Sequence, residues 1–261
     1  AAAGNRRNLP VVALLALFVV GQGVFGAEVV REGAATYGHR VAIATALMLV
    51  MVIGGRVTPA FSTNWLTQRG ATPLPAPFGR FDKVALLVAA AALCVWVARP
   101  GVGDLVPASL LTLAGVLHGL RLWRWRPFAV VRAPLLAALH CAYAFIPLGF
   151  VFAGAGLIMG RSDIAHGAVH IWTMGAIALM MLAIMTRASR GHTGRTLTAP
   201  VSTIVLYGAL VLAVFSRVAA TLEPSAMGAL LLLAGVGWVG AFAGFALLYG
   251  PMLLSPRAKA G

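Results

Sequence analysis

Apolar residues in this chain fall into eight long runs, spanning 9–30, 39–57, 84–98, 102–122, 133–157, 165–188, 201–221 and 226–254. A helix needs about 20 apolar residues to cross the hydrocarbon core of a bilayer. The third run is short for this and is predicted to extend back to Asp82. Between the runs lie Pro73, Pro75 and Pro77, then Pro100-Gly101, Pro127, Pro200 and Pro224, residues that stop or turn helices. The pattern predicts an all-α, polytopic transmembrane helix bundle of about eight spans, forming one domain over 1–261 with no soluble part.

Composition agrees. The 261 residues are 61% hydrophobic and 10% charged, with a mean hydropathy of +0.93. Soluble domains carry roughly 25% charged residues. The net charge of +14 does not point to nucleic acid, because the basic residues sit between apolar blocks and form no basic face or binding motif. Cys94 and Cys141 lie inside apolar runs, and neither CxxC nor CxxCH occurs, so both read as buried small side chains. The opening AAAGNRRN lacks the apolar region of a signal peptide.

The placement of charge supplies orientation. Taking the loops alternately, one side receives Arg6, Arg7, Arg56, Arg69, Arg80, Lys83, Arg121, Arg124, Arg126, Arg132, Arg187, Arg190, Arg195, Arg257 and Lys259, fifteen of twenty basic residues. Of the six acids, only Asp82 joins them. By the positive-inside rule this side is predicted to be cytoplasmic, with both termini on it.

Six histidines in so apolar a chain are candidate chemistry, since an ionisable group inside a membrane helix is costly to bury. His118 and His140 are predicted at comparable depth on consecutive antiparallel helices, an arrangement suited to two axial ligands of one haem. The alternative is a pair hydrogen-bonded to neighbouring carbonyls. On the other side His166, His170 and Met174 share a helix face, where two imidazoles and a thioether could hold Cu(I). Methionine at this spacing is also ordinary packing. The segment Met185-Thr-Arg-Ala-Ser-Arg-Gly-His-Thr-Gly-Arg195 sets Arg187, Arg195 and His192 around two glycines and could hold a propionate, a phosphate or another anion; the alternative is a plain basic loop. A similar turn is read at Ile53-Gly-Gly-Arg-Val57, where Arg56 could snorkel to lipid phosphate. Arg217 lies about a turn inside the seventh run. No GxSxG, HExxH or pair of membrane carboxylates supports hydrolysis, and no GxGxxG after a strand supports a nucleotide cofactor.

Several stretches together resemble the NnrS family. They are His170-Ile-Trp-Thr-Met-Gly-Ala-Ile-Ala-Leu-Met180 running into Met185-Thr-Arg-Ala-Ser and Gly191-His-Thr-Gly-Arg195, then Ile53-Gly-Gly-Arg-Val57 with Phe61-Ser-Thr-Asn64, and Pro77-Phe-Gly-Arg-Phe-Asp82. His118 with Arg121 and Trp125, Leu139-His140 with Tyr143, and Tyr249-Gly-Pro251 belong to the same pattern. The resemblance implies a bacterial inner-membrane protein containing b-type haem and copper, associated with denitrification and with nitric oxide and nitrosative stress. It implies His140, His170 and His192 as metal ligands, His118 as a further haem-binding residue, and Arg56, Arg187 and Arg195 as partners of propionates or anions. It also implies about a dozen spans, so that this chain corresponds to the C-terminal two-thirds of a longer protein. The competing expectation is a cofactor-free transporter or channel for a small anion or metal ion, and a third is an assembly subunit contacting a fixed partner.

Overall fold

In lipid, each backbone N–H and C=O must find its partner within its own segment or a closed sheet. A computed structural model describing residues 8–98 and 105–256 satisfies them with helices, and no strand occurs among the described residues. Among the described residues, eight helices are long and apolar enough to cross a membrane: α1 (Leu9–Glu32), α2 (Tyr37–Thr67), α3 (Arg80–Ala98), α4 (Leu105–Trp123), α5 (Pro134–Ile158), α6 (Ser162–His192), α7 (Val201–Leu222) and α8 (Pro224–Leu254). Arg6, Arg7, Arg99, Asp104, Arg257 and Lys259, which entered the charge count, lie outside the described residues.

Sequence neighbours pack together, α1 on α2, α3 on α4, α4 on α5, α5 on α6 and α7 on α8, while α2 also meets α3 and α5. Burial identifies the centre. Within its most apolar window α5 is 61% buried and α6 56%, against 6% for α1 and 11% for α8. The outer helices therefore present Val19, Val20, Leu232 and Leu247 to the surroundings, as lipid-facing helices should. Small residues make the close approaches: a Cβ at Gly38 of α2 would lie 2.2 Å from the Phe25 backbone of α1, so only glycine permits that crossing. Glu28 of α1 accepts the free N–H groups of Tyr37 and Gly38 at the start of α2, satisfying donors that a helix N-terminus leaves open.

Two helices differ from the sequence expectation. The second run does not turn at Ile53–Val57 but continues as helix to Thr67, through Pro59. It does so by widening into a π-helical stretch at Val50–Gly54 before the proline. The sixth helix likewise passes through a π-helical stretch, Ile171–Ala178, and runs on to His192. His192 is thus the last helical residue rather than part of a loop, and the turn begins at Thr193, with Gly194 at a φ of +74°. The third helix starts at Arg80, two residues before the predicted Asp82.

Candidate functional site

A buried polar network joins four helices at their arginine-rich ends. Arg121, in the last turn of α4, is fully buried. Its Nε donates to Asp82 Oδ1 at 2.8 Å, and its Nη1 donates to Met51 O at 3.0 Å and to Tyr143 Oη at 2.7 Å. Met51 lies in the π-helical stretch of α2, where the wider turn frees carbonyls from their usual partners. The guanidinium packs against Gly55, where a Cβ would stand 2.6 Å from Nη2. Asp82 is anchored by accepting from Gly79 N. Tyr143 Oη, which already accepts from Arg121, lies 2.8 Å from His118 Nδ1, while His118 Nε2 lies 3.3 Å from Ala85 O. A carbonyl can only accept, so Nε2 carries the proton and Nδ1 accepts from Tyr143. Both nitrogens of His118 are engaged.

His140 differs. It is buried on α5, and its Nε2 lies 2.9 Å from Ser62 Oγ of α2. Ser62 Oγ also lies 2.9 Å from Thr58 O. A hydroxyl has one proton, and the carbonyl must receive it, so Nε2 of His140 is the donor to Ser62. That leaves Nδ1 as a bare lone pair, buried and without a hydrogen-bond partner. Thr58 Oγ1 is buried without a partner as well.

One helical turn from this pair, towards the arginine-rich end, α2, α5, α6 and the 193–200 loop enclose a cavity of about 610 Å³. Its charged lining is Arg69, Arg132 and Arg187, with Asn64, Gln68 and Thr198 beside them and no acidic residue. Leu136 and Phe61, which also line it, precede His140 by four residues and Ser62 by one.

The remaining predicted residues are spread out. His170 is half-buried and interacts electrostatically with Arg217 and His166. His166 and His192 are exposed. Arg195 holds the turn after α6 through its backbone N–H to Arg190 O, with Nη1 buried and unpartnered. Arg190 Nε donates to Thr196 O. Arg56 lines two smaller cavities, one shared with Asp82 and Trp125 and one with Asn8 and Val12.

Sequence reasoning did not assign roles to Ser62, Tyr143, Arg69 or Arg132. Asp82 carried a signal, being the lone acid on the arginine-rich side. The sequence profile of the family described as NnrS protein matches residues 1–257. The chain belongs to the NnrS family. No curated protein and no solved structure matches it.

Haem and copper, which resemblance to NnrS implies, meet different receptions in this NnrS chain. For haem, His140 presents a buried imidazole whose Nδ1 has no hydrogen-bond partner and whose Nε2 is tied to an acceptor, as the second nitrogen of a metal-ligating histidine commonly is. His118 has no lone pair free, so a bis-histidine site with His140 requires His118 to release Tyr143 or Ala85. For copper, no group of three His, Cys, Asp or Glu is assembled among the described residues. Among the described residues, His140 thus offers haem one buried nitrogen with a free lone pair.

Proposed function

We propose that this NnrS-family membrane protein binds haem through His140 and handles nitric oxide at the bacterial inner membrane, with its arginine-rich face in the cytoplasm. The observation that carries the reading is the unpartnered Nδ1 lone pair of His140. In a span, a buried imidazole nitrogen without a protein hydrogen-bond partner is costly, and a metal ion is a partner that removes the cost. Haem iron supplies redox chemistry and affinity for a diatomic ligand. The chain's own residues hold and orient the group. Ser62 fixes the His140 ring plane and tautomer by accepting from Nε2, and Thr58 fixes Ser62 in turn. The ring is itself buried, at 4% exposure.

A reduced-minus-oxidised optical spectrum of the purified protein tests this. A Soret band that moves when nitric oxide is added is expected, and a colourless protein refutes the reading.

A further inference from the structure

The 610 Å³ cavity has the makings of an anion site independent of His140. Arg69 lies with its guanidinium 3.9 Å from the Trp65 ring centroid, and Arg187 lies 4.1 Å from that of Phe61. Phe61 and Trp65 are one turn apart on α2, so two cations are seated in register on an aromatic face. Arg132 faces them from the entry to α5, whose N-terminal residues Pro134, Leu135 and Leu136 also line the space. The N-terminus of a 25-residue helix adds positive potential and favours oxyanions. Among the described residues no acid lines the cavity, and Arg69 Nη1 donates only to the Trp65 carbonyl. The ion pairs among the described residues are Arg121–Asp82 and Arg161–Asp163, and neither reaches the cavity.

We propose that this cavity binds the phosphate of an anionic phospholipid. The cavity is far larger than a bare phosphate, and its other walls are apolar: Phe61, Leu135, Leu136 and Leu197. Phosphate fits the three guanidiniums, Asn64, Gln68 and Thr198, while the glycerol and upper acyl carbons fit the apolar walls. The position between spans, at one end of the bundle, is where basic pockets meet lipid headgroups.

The test uses the full chain in detergent, with native mass spectrometry and thermal melting. The probes are phosphatidylglycerol, zwitterionic phosphatidylcholine and inorganic phosphate, and haem content is read in the same samples. Phosphatidylglycerol is expected to remain bound and to raise the melting temperature saturably, with phosphatidylcholine and phosphate doing neither. Arg69→Gln, Arg132→Gln and Arg187→Gln are each expected to weaken that binding about tenfold. Haem content should stay unchanged in the first two. His140→Ala should lose haem and keep the lipid, which separates failure here from failure of the haem reading. Phosphatidylglycerol binding equal in wild type and a variant combining Arg69→Gln, Arg132→Gln and Arg187→Gln overturns the proposal. So does inorganic phosphate matching the lipid, which makes the site one for a soluble oxyanion. Loss of haem with retained lipid in Arg69→Gln or Arg132→Gln also overturns it, giving the cavity to the haem carboxylates.

Discussion

Ser62 Oγ lies 2.9 Å from His140 Nε2, and because Ser62 must spend its single proton on Thr58 O, this contact alone sets the tautomer of the buried imidazole. Ser62→Ala removes the acceptor and lets the ring turn or change tautomer. Outer partners of metal-ligating histidines contribute about 10- to 100-fold in metal affinity. Haem affinity of Ser62→Ala, measured by titration of haem-depleted protein, is expected to fall by about that factor while membrane insertion is unchanged.

Arg121 and Asp82 should respond to mutation as a unit. Arg121→Met alone leaves Asp82 as an uncompensated buried charge, a loss of about 3–5 kcal/mol. The double variant Arg121→Met, Asp82→Leu removes both charges and is expected to recover most of that stability. Denaturation of the detergent-solubilised variants measures the coupling. Equal loss in the double and single variants would show that the pair is not what holds these helices.

Tyr143→Phe strips His118 Nδ1 of its donor and Arg121 Nη1 of an acceptor. Leaving buried polar groups unmade costs about 1–3 kcal/mol. The variant is expected to melt earlier but to keep its haem, because Tyr143 touches the network and not His140 Nδ1. Gly55→Ala should destabilise through the same network, since its Cβ would meet Arg121 Nη2 at 2.6 Å.

The charge pattern predicts sidedness. In a Cys94→Ala, Cys141→Ala background, Lys83→Cys and Thr198→Cys should react with an impermeant thiol reagent from one face. Ser162→Cys and Ser225→Cys should react from the other, and the first pair should face the cytoplasm. All four positions are exposed. Labelling of Lys83→Cys and Ser162→Cys from the same side would contradict the alternation of spans.

The spans were legible because lipid imposes a length and an apolar composition on each, and their ends fell within a few residues where proline or glycine marked them. The helix through Pro59 was not legible: the glycines before it read as a turn, whereas a π-helical widening carries the chain past the proline. Among the histidines, composition could mark all six as costly but could not say which had been satisfied. His118 and His140 look alike in sequence. Only the fold shows Tyr143 and Ala85 occupying both nitrogens of the one, and Ser62 a single nitrogen of the other. The Arg121–Asp82 pair spans 39 residues of chain, beyond any local pattern, although the isolation of Asp82 among arginines hinted at it. The arginine cavity was half visible. Arg187 stood out in its motif, whereas Arg69 and Arg132 looked like ordinary loop charges until three helices converged.

The central claim is that His140, not His118, supplies the haem ligand. Its most direct test is the Soret absorbance per mole of purified wild type, His140→Ala and His118→Gln, with insertion checked in each. The account predicts a haem band in wild type and His118→Gln and none in His140→Ala. A full haem complement in His140→Ala would contradict it, and a colourless wild type would return the lead to a cofactor-free transporter.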